Sequence, residues 1–369
     1  MDLYYFRNLD KFMSNNTTYS ISPGKSILFG EHFVVYGYSS IIFAIDRKLG
    51  ISINFKNKIQ RSNDVSKIRI FTNLGFNAEI INSKINLSND SKPISYLVVD
   101  NLYKILNYLI IKNKHETFNN NIDITKIDID IFINSDIPIG GGLGSSSAFC
   151  VSLISSFYHE IGKQVDKKFI CEYAIETEKI INENTSGLDC SICTFGGIGI
   201  YNKHLGLRKL DCDIHNFPFL IIDTGITHNT FELVEQVKKI KNEGNAAFKN
   251  LCNEYENIFE SSLKSLENKN MGDLGILMNE NHALLKKLNL SNSVIDKIVH
   301  ICEMGGTFGT KITGAGGGGC ILSLIDNSEK KLVSRLLTKL DEYNLKYFFT
   351  TPNNCGLEYG SYSSIKGNE

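Results

Sequence analysis

The sequence predicts an α+β fold built as two units. Segments with strand-like and helix-like patterning are mixed without strict β-α-β alternation, which argues against a doubly wound parallel sheet. The 369 residues amount to two domains at the usual size of about 100–200 residues each. Two glycine-rich loops, 138–144 and 314–319, each separate a well-patterned pair of elements.

Taken in order, residues 1–20 are polar and mixed, and are expected to be poorly ordered or loosely docked. Residues 27–29 and 33–36 look like pieces of strand or buried turn, with Gly30 and Gly37 as breaks. Residues 51–59 and 68–81 alternate at period two, as strands open to solvent on one face do. The apolar stretch 94–111 carries Asp100, Asn101, Lys104 and Asn107, so it reads as an amphipathic helix rather than a membrane span. A polar surface loop at 112–121 leads to a clean alternating strand at 127–133. Beyond the first glycine loop a helix carries Phe149, Leu153, Phe157 and Ile161 on one face, and a second helix spans 166–182. The pattern resets at 206–216, and a strand at 217–222 is taken to open the second unit. The expected division is therefore 1–205 and 206–369. Helical stretches near 230–265 and 272–302 follow, then the second glycine loop, a strand (320–325), a helix (328–343) and a strand (347–351). No internal repeat is seen.

Composition excludes several classes of function. Hydrophobic residues make up 42% and charged residues 21%, the balance of a folded soluble protein rather than a disordered or collagenous one. A formal net charge of −1 supplies no global field to attract nucleic acid or anionic lipid, so neither is expected as a partner. Nine scattered cysteines, without framework spacing, suit buried thiols in a reducing compartment, and the N-terminus lacks the pattern of a signal peptide. A cytoplasmic protein is expected.

Four segments carry the chemistry. The run Pro138 to Ser147 joins a strand to a helix; its glycines free backbone N–H groups, and the helix N-terminus adds partial positive charge, an arrangement suited to phosphate. Ser145 and Ser146 could cap that helix, bind phosphate or ligate Mg²⁺. No Gly-Lys-Ser/Thr follows, so this is not a P-loop, and any phosphate-steadying lysine comes from elsewhere. The second glycine loop reads as a hinge or as close backbone approach to a ligand, the latter favoured. Lys25, Glu31 and His32 lie among glycines and apolar residues and look, as a group, like a substrate pocket. On the helix 166–182, Glu178 falls on the stripe of Ile170, Ala174 and Ile181, where a carboxylate is costly without a cation or donors. Either Mg²⁺ or a lysine or arginine would meet it. Asp189 has two readings: the acidic slot of a Ser186-x-x-Asp189 capping box, or a general base held at a helix start. Cys190-x-x-Cys193 has no second pair to complete a zinc site.

In order and spacing, these segments resemble the GHMP kinase superfamily and, within it, the mevalonate kinase branch. The residues concerned are 23–37, 138–148, 186–189 and 311–320, supported by 223–234 and 278–285. The resemblance implies a ribosomal-protein-S5-like N-terminal domain and a ferredoxin-like C-terminal domain with the site in the cleft between them. It implies ATP-dependent phosphorylation of the C5 hydroxyl of mevalonate. Asp189 and Lys25 would be catalytic. Lys25, Asn73, Ser135, Gly140, Gly141, Gly142, Leu143, Gly144, Ser145 and Ser146 would bind ATP. Glu31, His32, Thr230 and Gly316 would face the substrate, and Ser146 and Glu178 would hold Mg²⁺. Such chemistry needs charge neutralisation and positioning more than covalent help.

The sequence departs from the family pattern at Ser147, where alanine is usual, and at Thr185, where proline is common. The rival readings are a superfamily kinase for 5-phosphomevalonate or a sugar, for which Arg47 and Lys48 are the nearest extra cations, and an inactive metabolite sensor. A homodimer stays open.

Overall fold

The computed structural model describes residues 18–56, 66–88, 93–113, 127–182, 185–212, 217–227 and 229–361. The expectation for residues 1–17 and most of the loop assigned to 112–121 lie outside these. Residues 18–20, also assigned to the loose N-terminus, are instead in a strand.

The N-terminal unit is built on a nine-stranded sheet. Strand β1 (Thr18–Phe29) is followed by a 3-10 turn (Phe33–Tyr36) and by β2 (Ser40–Lys56). β3 (Lys67–Thr72), β4 (Asn77–Ile81) and β5 (Lys84–Ser88) form a meander, so the predicted strand 68–81 is two strands and a turn. Helix α1 (Pro93–Lys112) leads to β6 (Asp128–Ser135). Helices α2 (Ser145–Glu160), α3 (Lys167–Ile181) and α4 (Leu188–Phe195) then precede the hairpin of β7 (Ile198–Asn202) and β8 (Gly206–Lys209). α1 is long and apolar enough to pass for a span, but it buries Val99, Leu102, Ile105, Leu106 and Leu109 in the core.

α2 is the central helix, buried on more than the single stripe its sequence suggests. Its serines explain how it lies so close to the sheet. Ser152 Oγ donates to Leu49 O (3.0 Å), Ser156 Oγ to Ile51 O (2.7 Å), and Ser155 Oγ accepts from Ser20 Oγ (2.8 Å). Small side chains allow the approach, and each buried hydroxyl has a partner.

The C-terminal unit begins with β9 (Phe219–Asp223), then α5 (Thr230–Glu243), α6 (Asn245–Glu267), α7 (Met271–Lys287) and α8 (Ser293–Met304). β10 (Gly309–Thr313), β11 (Cys320–Leu324), α9 (Lys330–Glu342) and β12 (Lys346–Thr350) complete an antiparallel sheet of order β10-β11-β9-β12. This is the β-α-β-β-α-β order of a ferredoxin-like fold.

The chain then returns. β13 (Glu358–Ser361) pairs antiparallel with β1, and β8 pairs with β7 in the first sheet. The division at 205/206 therefore needs correction at both ends: it cuts a hairpin whose strands share one ladder, and it assigns β13 to the wrong sheet. The two units share one core, in which Phe43 of β2 stacks on Phe219 of β9 with ring centroids 5.0 Å apart.

Candidate active site

A cleft of about 340 Å³ opens where β1, the first glycine loop, α4, α5 and the second glycine loop converge. Lys25 reaches it because the β1–β2 register shifts between Pro23 and Lys25, and such an irregularity re-aims the side chain after it. Lys25 Nζ lies 3.2 Å from Asp189 Oδ2; the lysine side chain is 4% exposed and the aspartate 33%. The backbone N–H of Lys25 donates to Leu143 O at 2.9 Å, tying strand to glycine loop. At Gly144 (φ +75°) a Cβ would stand 2.7 Å from Lys25 Cγ, so the loop can pass over the lysine stem only as glycine.

Both helices aimed at the cleft lack a side-chain cap. α2 starts from Gly144 and α4 from Gly187, each in the left-handed region. Ser145 and Ser146 therefore do not cap α2, and with Gly140, Gly142 and Gly144 they line the cleft beside uncapped first-turn N–H groups. The capping box at 186–189 does not form either. Ser186 Oγ accepts from Leu188 N (3.3 Å), and Asp189 is left to face Lys25.

Glu178 is buried on α3 as its stripe requires, and among the described residues no lysine or arginine pairs with it. Its carboxylate accepts from Ser147 Oγ on Oε1, and from Thr185 Oγ1 (2.6 Å) and Cys190 Sγ (3.4 Å) on Oε2. Burial, and then the charge of Asp189, pushes its pKa up, against the pull of these donors. Glu178, Asp189 and the exposed Ser146 offer the hard oxygens that Mg²⁺ prefers, and a cation would give Glu178 its missing charge partner. The described residues hold no group of three or more His, Cys, Asp or Glu suited to a metal, so further ligands would be phosphate oxygens or water.

On the opposite wall His32 is buried, with its Nε2–H donating to Ala315 O at 2.7 Å. Burial lowers its pKa, so the neutral ring is favoured. Thr230, at the start of α5, is exposed to the cleft. Glu31 borders the same space, but its carboxylate is fully buried and committed to Lys311 and to Asn281 Nδ2 (3.1 Å). Its place is in the wall of the cleft, with the carboxylate itself turned to Lys311 and Asn281.

Gly316 sits behind the cleft surface. The second glycine loop presents Gly314 and Ala315 to the cleft, while a Cβ on Gly316 would lie 2.7 Å from Leu290 O. On the glycines behind, an added Cβ would meet Leu233 at Gly317 and Ile226 at Gly318. Gly141 faces Cys320 Sγ instead of the cleft. Asn73 spends its amide on the backbone of Ser135, donating to its carbonyl (3.1 Å) and accepting from its N–H (2.9 Å). It braces Ser135 and reaches neither cavity.

Ser135 itself lines a second, mostly apolar cavity of about 240 Å³, which shares Gly140, Ser145 and Ser146 with the cleft and is walled by Leu49, Leu97 and Phe149. Sequence patterning did not reveal this cavity, because its walls come from five separate elements, β2, α1, β6, α2 and α3. Nor did it reveal Tyr201, whose hydroxyl donates to Ser186 O and steadies the turn before Asp189. The nine cysteines are all free; burial raises the thiol pKa of Cys190 and Cys193 well above the ordinary range, as inert core thiols require.

The family model for the GHMP kinases N-terminal domain matches residues 103–197, and that for the GHMP kinases C-terminal domain matches residues 262–341. A mevalonate kinase of Methanocaldococcus jannaschii is 35% identical over 329 residues, covering 87% of this chain and 96% of the relative. One from Pyrococcus furiosus is 28% identical, covering 85% and 91%. Among solved structures, the Methanococcus jannaschii mevalonate kinase aligns with a TM-score of 0.70 at 31% identity, covering 90% of this chain and 98% of that one. The L. major mevalonate kinase in complex with R-mevalonate shares the fold, with a TM-score of 0.75 at 21% identity and coverage of 92% and 98%.

Proposed function

This chain belongs to the GHMP kinases, and we propose that it transfers the γ-phosphoryl group of ATP to the C5 hydroxyl of mevalonate, giving 5-phosphomevalonate. The observation that carries the reading is the Lys25–Asp189 pair, 3.2 Å apart where two uncapped helix N-termini converge. Asp189 accepts or orients the proton of the attacking hydroxyl. Lys25 lies beside it, lowers the alcohol's pKa and offsets charge that develops between nucleophile and phosphorus. The N–H groups of the first glycine loop and of the α2 start cradle the phosphates, and the apolar cavity beside Ser135 takes the base. Ser146 and Glu178 would hold Mg²⁺, which when bound neutralises charge on the phosphate oxygens. His32 and Thr230 face the acceptor.

The cleft argues against a phosphorylated acceptor. Among its described lining residues Lys25 is the one lysine or arginine. Arg47 stacks over Phe348 at 4.6 Å, and Lys48 pairs with Glu358 at 3.2 Å. Neither lines the site. All nine cysteines are free, which supports a cytoplasmic setting.

The test is a coupled assay of ADP release with Mg-ATP, comparing mevalonate, 5-phosphomevalonate, galactose and no acceptor. Saturable turnover with mevalonate is expected. Turnover with galactose or 5-phosphomevalonate in its place would reassign the acceptor, and none with any of them would overturn the reading.

A further inference from the structure

Ser147 and Thr185, the two positions at which the sequence leaves the family pattern, meet on one side chain. Ser147 is the third residue of α2, and Thr185 belongs to the turn after α3. Both donate to the carboxylate of Glu178, one to each oxygen, and Cys190 Sγ adds a third donor.

A carboxylate has about four lone-pair directions. Oε2 has both of its directions filled, by Thr185 and Cys190, and Oε1 has one filled by Ser147. One direction is left, on Oε1. We propose that Ser147 and Thr185 are positioning residues that clamp the Glu178 carboxylate and leave it a single oxygen direction with which to hold a divalent cation in the cleft. The proposal rests on Glu178 serving as a cation ligand. Its logic is that of hydrogen-bonded partners behind any metal-binding carboxylate, which fix the ligand's orientation and whose loss costs affinity. A single free direction enforces monodentate binding, which the small octahedral Mg²⁺ ion accepts and larger ions with bidentate habits do not need. The hydroxyls also stand in for the lysine or arginine that a buried carboxylate would otherwise require, so among the described residues no cationic side chain pairs with Glu178 in place of the cation.

The test measures Mn²⁺ binding by electron paramagnetic resonance, in the presence of a non-hydrolysable ATP analogue, for the parent protein and for Ser147→Ala, Thr185→Val, Thr185→Ser and Glu178→Gln. Thermal unfolding of each metal-free protein is followed alongside. Ser147→Ala and Thr185→Val are expected to weaken Mn²⁺ by about 10–100-fold. They should also raise the Mg²⁺ concentration needed for half-maximal turnover, while kcat at saturating Mg²⁺ changes far less. Thr185→Ser, which keeps the hydroxyl, should restore parental binding. If the two hydroxyl-deleting variants unfold earlier yet bind Mn²⁺ as the parent does, the clamp is merely structural and the proposal falls. If those two bind normally while Glu178→Gln loses Mn²⁺, the cation reading of Glu178 stands and only the clamp is refuted. If Glu178→Gln binds Mn²⁺ unchanged, the cation reading falls and the clamp falls with it. Thr185 lies outside any helix, so its variants keep the question open to test should Ser147→Ala fail to fold.

Discussion

Replacing Gly144 by alanine puts a methyl group 2.7 Å from Lys25 Cγ, in a residue whose φ is +75°. Carbon atoms in ordinary contact sit about 3.5–4.0 Å apart, so roughly 1 Å must be found. There is little room to find it. The lysine stem is buried, and the neighbouring strand is already tight against the loop: a Cβ on Gly24 would meet Leu143 O at 2.8 Å. The shift therefore passes to the ammonium that sits 3.2 Å from Asp189. A misplacement of about 1 Å in a positioning group can cost about 100-fold in rate. The left-handed backbone adds about 1–2 kcal/mol of destabilisation for a residue with a Cβ. The expected outcome for Gly144→Ala is a fall in kcat of about 100-fold, measured by ADP release at saturating substrates and at a temperature where circular dichroism shows the variant fully folded. Turnover within about threefold of the parent would refute the claim that this contact sets the lysine's position.

Three further outcomes follow from the same geometry. Asp189→Asn should lower kcat by about 10²–10⁴-fold while ATP binding, followed by calorimetry, is kept; near-parental turnover would remove Asp189 from the proton's path. Lys311→Met should destabilise the protein by about 3–5 kcal/mol in urea unfolding, because it strands the buried Glu31 carboxylate. Adding Glu31→Met should recover part of that loss, and a double variant no better than the single one would show that the pair is not the cause. Burial, helped by Lys311 and Lys286, lowers the pKa of His282 to about 4 against the opposing charge of Asp296. The unfolded chain then binds the extra proton first as pH falls below the ordinary value near 6.5, so stability is full above that pH and is lost towards pH 4. The slope from this group is at most about 1.4 kcal/mol per pH unit, and His282→Leu should flatten it; an unchanged slope would count against the assignment.

What could be read from the sequence was what depends on short-range spacing. The α3 stripe placed Glu178 inside because Ile170 and Ala174 bury one helical face, and the glycine loop between strand and helix marked a bare helix start that lines the cleft. Long-range commitments could not be read. Glu31 does line the cleft, but nothing in its spacing showed that its carboxylate pairs with Lys311, 280 residues away, and with Asn281. Asn73 looked like a nucleotide contact, yet its amide closes on the backbone of Ser135 across the sheet. The second glycine loop read as backbone approach to a ligand; Gly314 and Ala315 line the cleft, and the pattern did not show that Leu290, Leu233 and Ile226 crowd Gly316, Gly317 and Gly318. For Glu31 and the glycines a local pattern, and for Asn73 the family resemblance, marked the residue without showing which partners in this chain hold it.

The returning tail gives that distinction a functional edge. α4, which carries Asp189, is short, and its C-terminal end is held by residues from the far end of the chain. Leu357 N–H donates to Thr194 O at 2.9 Å, and Gly197 N–H donates to Asn353 O at 2.7 Å. Asn353 N–H in turn donates to Ala44 O of β2 (2.8 Å), beside the strand that bears Lys25. At Gly196 (φ +66°) a Cβ would stand 2.2 Å from Gly356 N, so tail and helix meet backbone to backbone. A helix of eight residues is marginal alone and takes its stability from tertiary packing. The tail is therefore part of what keeps Asp189 and Lys25 in register, although none of its residues lines the cleft. Truncating the chain before Asn353 should cost kcat more than it costs ATP affinity, because the apolar cavity proposed to take the base draws on none of these contacts. An equal loss of both would mean that the tail supports the unit as a whole and not the catalytic pair.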